Sequence, residues 1–478
     1  MVFSSVEFLF YFFPVVLILY YTACAPSIRM RNILLFIASL FFYAWGEPQN
    51  VIWLLAVCVI NWLLAIGISS RPMTGKRLLF LACAVDLGIL FVFKYSNFIV
   101  SGIGGLFGFF SIVQTEIALP IGISFYTFQA MSYVIDVYRG KAAAQRNPLY
   151  VALYICMFPQ LVAGPIVRYS TVEKQITQRR HTWRMFSEGL NRFILGLAKK
   201  LLLANTFAVV ADNVYGLTEA GHEALTVSAA LAWIGSFAYT LQIFFDFSGY
   251  SDMAIGLGKI FGFTYEENFI YPYISCSVSE FWRRWHISLS AWFREYVYFP
   301  LGGSKVDNRD KMVRNLLIVW LLTGIWHGAS WTFVMWGLFH FVCILLERIF
   351  LLEKWKGPFR IKHIYTLLVV NFGWVLFRCE SYYQFTEYLG NMFLLNRNGL
   401  FCETAWMFLR EYAFIWIAGI LGCLPVAQWI KNRLKMAHPC LGVVVAGGLY
   451  PAAMCGLLFV CVCYLARSGY NPFIYFHF

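Results

Sequence analysis

The sequence predicts an all-α polytopic membrane protein, and three observations predict it. Hydrophobic residues make up 60% of the chain, aromatic residues 19% and charged residues only 13%, far from the balance of a soluble globular domain. Apolar runs recur along the 478 residues, with room for about a dozen spans at roughly 20 residues each. The Lys and Arg residues behind the net charge of +13 fall in short clusters between those runs, as cytoplasmic loops do under the positive-inside rule. They are not pooled in one tail or stripe, so nucleic acid is not the expected partner.

Twelve spans follow from the apolar runs and charge breaks: 7–24, 32–46, 50–68, 78–94, 116–138, 190–213, 227–249, 312–328, 330–350, 363–378, 411–430 and 440–466. The start, Met1-Val-Phe-Ser-Ser5, has no Lys or Arg ahead of its apolar run, which argues against a cleaved signal peptide and puts the N-terminus outside. With this threading the clusters Arg29/Arg31, Arg71/Lys76/Arg77, Arg139/Lys141/Arg146, 168–200, 283–314, Arg348–Lys362 and Lys431–Lys435 all become cytoplasmic. The segments 215–224 and 380–405 carry acids and fall outside. Both termini are then extracytoplasmic, and the chain is a multi-pass protein of the cell's inner or plasma membrane in contact with lipid.

Two runs do not fit a simple crossing. Residues 148–167 lie between two basic clusters and read as re-entrant, since irregular backbone at depth needs protein or a water-filled cavity around it. The Gly-rich stretch 97–113 is similar. Residues 264–311 are too polar to cross and too aromatic to float free. On one continuous helix, Phe281, Trp285, Leu289, Trp292, Tyr296 and Phe299 form a stripe with Arg283, Arg284, Ser290 and Arg294 away from it, the pattern of a helix at the cytoplasmic interface. Pro300-Leu-Gly-Gly-Ser304 ends it. No inverted repeat or long linker appears, so 1–478 reads as one domain, with 468–478 as an aromatic extracytoplasmic tail. Most of the 13 Cys lie in apolar runs as small hydrophobes; only Cys379 and Cys402 flank an outside loop where a disulfide has room to form.

Two histidines carry the chemistry. His327 lies in an apolar run, where an ionisable group is costly and reads as a working residue. Gly324 and Gly328 remove side chains on either side of it and leave room for a substrate. His286 shares the interfacial segment with Arg283 and Arg284 and is either catalytic or part of an anchor. The arginines face either lipid headgroups or the phosphates of a cytosolic donor such as a coenzyme A thioester. Asp246 and Asp252 either pair with nearby bases or orient a histidine, and His340 reads as structural. No His-Glu-x-x-His, paired Cys-x-x-Cys, Gly-x-Ser-x-Gly or Walker motif is present, so the sequence implies no metal.

The chain resembles the membrane-bound O-acyltransferase (MBOAT) family, in its bacterial alginate O-acetyltransferase-like branch. The residues that carry the resemblance begin with Met1-Val-Phe-Ser-Ser5, Pro120-Ile-Gly-Ile-Ser-Phe-Tyr126 and Tyr133-Val-Ile-Asp-Val-Tyr-Arg139. They continue with Asp246-Phe-Ser-Gly-Tyr-Ser-Asp-Met-Ala-Ile-Gly256, Glu280-Phe-Trp-Arg-Arg-Trp-His-Ile-Ser-Leu-Ser290, Leu301-Gly-Gly303, Gly324-Ile-Trp-His-Gly-Ala329 and Gly373-Trp-Val-Leu-Phe-Arg378. The resemblance implies a ring of about twelve helices around a central tunnel, with re-entrant and interfacial pieces. It implies His327 as catalytic base, supported by Trp326, and His286 as a second functional histidine. It also implies acetyl-CoA or another acyl thioester as donor substrate, with no bound cofactor. The three cations clear of the aromatic stripe on a cytoplasmic face point separately to docking of a donor or partner at Arg283, Arg284 and Arg294.

The expected activity is O-acylation, with acetyl as the favoured group, of an extracytoplasmic envelope polysaccharide, completed by a secreted SGNH-type partner. An acyltransferase acting on lipid or protein, and a transporter of lipid-linked or acyl substrates, are the alternatives. The ending Phe473-Ile-Tyr-Phe-His-Phe478 resembles the C-terminal tyrosine motif of the small partner protein in teichoic-acid D-alanylation. That resemblance makes Tyr475 an acyl-carrier candidate; composition alone makes the tail an interfacial anchor.

Overall fold

The computed structural model describes residues 1–107, 118–218, 227–306, 308–350, 357–437, 445–467, 469–472 and 474. Among them all regular structure is helical, the form in which an apolar segment satisfies its own backbone without water. Among the described residues six helices are long and apolar enough to cross a membrane: Pro48–Ser70, Gly75–Val100, Trp183–Gly216, Ala229–Ile260, Trp331–Ile349 and Gly447–Arg467. The pair Glu403–Glu411 and Ala413–Gly422, bent by 64°, adds a seventh if it is one span.

The other expected spans are helices that fall short. Ile28–Ala44 has 17 residues and Ile123–Tyr138 has 16. Nearly every residue of the second is buried, so its apolar character serves packing against protein. Arg309–His327 opens with Arg309, Asp310, Lys311 and Arg314. An apolar run in the sequence thus marks burial, whether lipid or protein provides it. The 97–113 stretch also differs from expectation: through Phe107 it continues the helix Gly75–Phe107, and the remainder lies outside the described residues.

Two compact units organise the chain. The first holds Met1–Phe193, Tyr250–Glu267 and Ala291–Pro300. Its 148–167 segment is two helices of 9 and 4 residues, Pro148–Cys156 and Phe158–Leu161, with Met157 in an extended turn between them (ψ 116°). Neither can cross a bilayer alone. Leu153–Val167 are all buried, and the Tyr154 hydroxyl ties the segment down by donating to the Val167 carbonyl at 2.8 Å.

The second unit holds Ile194–Gly249, Asn268–Ser290 and Leu301–Phe478. It contains most of α1 (Ala229–Ile260), all of α2 (Val278–Arg284), the start of α3 (Ile287–Phe293), then α4 (Arg309–His327), α5 (Trp331–Ile349) and α6 (Phe359–Arg378). α4 and α5 pack backbone to backbone. A Cβ on Gly337 would lie 2.4 Å from the Trp320 carbonyl oxygen, and one on Gly324 2.4 Å from that of Phe333. Trp282, Trp320, Trp336, Trp374 and His340 fill the space around this crossing with edge-to-face, tilted and stacked rings.

In the first unit, Gly122 is doubly closed to a side chain. Its φ is +75°, and an added Cβ would lie 2.5 Å from the Leu161 carbonyl oxygen. Gly122→Ala is expected to cost about 2 kcal/mol or more. Thermal unfolding of the purified protein checks this, and an unchanged midpoint would refute it.

Candidate functional site

The interfacial segment is not one helix. α2 starts at Ser277, whose Oγ accepts from the Glu280 amide at 3.0 Å. The buried Glu347 carboxylate of α5 accepts from the amides of Val278 (2.6 Å) and Ser279 (3.0 Å). α2 then stops at Arg284. Trp285 is extended, and His286 sits at φ +43° before α3 begins. Arg294–Tyr298 forms a π-helical turn. The expected stripe still faces inward, since Phe281, Trp285, Leu289, Trp292 and Tyr296 are buried, whereas Phe299 is exposed. A non-glycine residue in the left-handed region costs on the order of 1–3 kcal/mol and persists where its surroundings enforce it.

Asn268 does the enforcing. Its Oδ1 accepts from the Ser288 amide at 3.1 Å and the Ser288 hydroxyl at 2.9 Å, which fixes that atom as the acceptor. His286 Nδ1 lies 3.2 Å from the same oxygen, so Nδ1 carries the proton and Nε2 keeps its lone pair. Backbone bonds from Ile287 N to the Asn268 carbonyl (3.0 Å) and from Ile270 N to the Arg284 carbonyl (3.0 Å) hold the break in place. Burial pushes the His286 pKa down to about 3, so the ring is a neutral imidazole at physiological pH.

His327 is the last residue of α4 and is buried. Its ring centroid lies 4.9 Å from that of Trp326, 5.0 Å from Trp336, 5.1 Å from Phe377 and 6.5 Å from Phe333. The Trp326 ring is also 6.2 Å from His286. The indole is therefore a common neighbour of both histidines. His340 is held within the tryptophan cluster, its Nδ1 accepting from Trp282 Nε1 at 3.3 Å.

The glycines beside His327 do not open a space. A Cβ on Gly328 would meet the Phe333 ring at 2.4 Å, so both glycines serve close packing of α5 against α4. A cavity of about 440 Å³ is lined by Phe333 and Phe377, together with Asp212, Gln242, Arg378, Pro472 and Ile474 among others.

The acids separate cleanly. Asp246 Oδ1 is 2.6 Å from Lys200 Nζ in a buried pair, and its Oδ2 accepts from the Ile474 amide at 2.9 Å. Asp252 is paired with Arg192 at 2.8 Å in the first unit, so it takes the pairing alternative. Arg284 is engaged by Glu280 at 2.8 Å. Arg283 is exposed, and so is Arg294, which belongs to the first unit. Cys379 and Cys402 are both free thiols. Tyr475 lies outside the described residues.

The model of the membrane-bound O-acyltransferase family matches residues 37–384. The chain belongs to that family. It is 39% identical over its whole length to the full-length "Probable alginate O-acetylase AlgI" of Pseudomonas putida. It is 44% identical to the protein of the same name from Azotobacter vinelandii, over 80% of this chain and 76% of that one. It is 34% identical to the peptidoglycan O-acetyltransferase of Helicobacter pylori, over 83% and 80%. This membrane protein is an O-acyltransferase, and the transporter reading falls away.

Sequence reasoning missed Lys200, Asn205 and Asn268. Lys200 left a signal, a charge inside the apolar run 190–213. Asn268, in Glu266-Glu267-Asn268-Phe269, left none. Asn268→Leu is expected to lower stability by about 1–3 kcal/mol, by leaving the buried Nδ1–H and Ser288 donors without their acceptor. It should also cut acyl transfer, and Asn268→Asp should restore much of both. Melting curves and a transfer assay on the two variants check it; equal loss in both would remove the acceptor role.

Proposed function

We propose that this O-acyltransferase takes an acetyl group from a cytosolic thioester such as acetyl-CoA and hands it outward for O-acetylation of an envelope polysaccharide. The observation that carries the reading is the shared cavity wall. Ile474, next to Tyr475 in the chain, lines the same cavity as Phe333 and Phe377, the two phenylalanines whose rings neighbour His327. The names of the relatives support acetyl as the group and a glycan as the destination, because alginate is a polysaccharide and peptidoglycan has glycan strands.

In this reading His327 is the general base, an action worth roughly a hundredfold or more in rate. The Tyr475 phenol, which titrates near 10 when free, gives its proton to His327 and attacks the thioester carbonyl. The C–S bond breaks, the thiol leaves with that proton, and a tyrosyl ester remains. His286, a neutral imidazole with its proton on Nδ1, is the second functional histidine; Trp326 supports both rings. An SGNH-type partner outside then moves the acyl group to a polysaccharide hydroxyl and restores the tyrosine. The nucleotide of the donor stays in the cytosol, near Arg283, Arg284 and Arg294, and no phosphate enters hydrocarbon. The scheme needs both termini outside and a tunnel through a helical ring.

His327→Gln is expected to lose a hundredfold or more in transfer rate while melting within a few degrees of the parent protein. A stable variant with near-normal transfer, followed by release of labelled acetyl from acetyl-CoA, would end the base assignment. Intact-protein mass spectrometry after incubation with acetyl-CoA should find an ester on the C-terminal peptide, absent in Tyr475→Phe. An ester count unchanged by Tyr475→Phe would return the tail to the role of anchor.

A further inference from the structure

The C-terminal segment before Tyr475 is held by a set of polar side chains, most of them buried, that the transfer chemistry does not use. Asn205 Nδ2 donates to the Tyr470 carbonyl at 3.3 Å and to Asn471 Oδ1 at 3.2 Å. Lys200 Nζ donates to the Pro472 carbonyl. Asp246 Oδ2 accepts from the Ile474 amide at 2.9 Å, and Asp212 accepts from the Tyr470 hydroxyl. Lys200, Asn205 and Asp246 are all buried.

The partners fall on every second residue: the carbonyls of 470 and 472, then the amide of 474. The contacts are mostly to backbone, so they fix position along the chain more than side-chain identity. Lys200 and Asp246 also face each other at 2.6 Å. A buried ion pair stands only when its remaining donors and acceptors are met, and here the tail backbone meets one from each partner.

We infer that Lys200, Asn205, Asp212 and Asp246 form a docking cradle that holds residues 470–472 and 474 and thereby sets the reach of the next residue, Tyr475. These are positioning residues. The functional consequence rests on the acyl-carrier reading, whereas the docking itself does not.

Hydrogen–deuterium exchange of the full chain in detergent or nanodiscs tests it, read on the C-terminal peptide with the transmembrane peptides as internal control. The double variant Lys200→Met/Asp246→Leu removes both charges together, which avoids a lone buried ion. Asn205→Leu is the milder second variant. Each should speed exchange at the Ile474 amide at least tenfold, leave the other helices protected, and lower the ester yield on the tail. Lys200→Arg should keep the protection.

Inserting one glycine between Ile474 and Tyr475 should leave the protection intact and cut ester formation. Tyr475→Phe should stay protected. Unchanged exchange at Ile474 in Asn205→Leu and in the double variant overturns the cradle. Faster exchange in those variants, combined with no ester on the wild-type tail, supports the cradle and rejects the acyl-carrier reading instead.

Discussion

A buried ion pair between Lys200 and Asp246 governs the second unit. Their side chains are 3% and 2% exposed, and charges so placed carry a desolvation cost of several kcal/mol each unless closely paired and fully hydrogen-bonded. The fold answers in two ways. Gly249 lets its helix approach the Lys200 backbone, since a Cβ there would stand 2.8 Å from the Gly196 carbonyl oxygen and 3.1 Å from the Lys200 amide nitrogen. Asp246 lies almost one turn earlier on the same helix and so reaches the ammonium. Lys200 also falls in the π-helical stretch Lys199–Ala204, a local widening of the kind that recurs at functional sites. The tail then supplies the remaining partners through the Pro472 carbonyl and the Ile474 amide.

The same requirement, that buried polar atoms find partners, shapes the histidine region. Asn268 gathers His286 and Ser288 at one oxygen and holds the backbone in a conformation it would otherwise avoid. Glu347 meets the start of α2 from α5. The tryptophans pack the rest, so His286 and His327 share Trp326 as a neighbour. An imidazole is the side chain whose ordinary pKa lies nearest neutrality, which suits it to taking a proton from a hydroxyl.

Much of this was legible in the sequence because burial in lipid and burial in protein both demand apolar residues. The helical class, both histidines and the unusual character of 264–311 follow from that demand. The same ambiguity hid the number of crossings: Ile123–Tyr138 looks like a span and is a core helix of 16 residues. Periodicity could not foresee the break at His286, because its cause is Asn268, eighteen residues earlier in the chain. Nor could it foresee that Gly324 and Gly328 bring α5 close; a glycine marks absent side chains without saying what fills the space. Asp246 was visible as a lone acid, but its partners come from Lys200 and from a tail more than two hundred residues away.

The central claim is that the acyl group passes through the protein as a covalent ester. Rapid-mixing measurement of thiol release from acetyl-CoA, with purified full-length protein and no polysaccharide or partner present, tests it most directly. A covalent carrier releases about one equivalent of coenzyme A thiol per protein in a burst and then slows sharply. Direct transfer in a ternary complex releases no thiol until an acceptor is added, and that result would contradict the account.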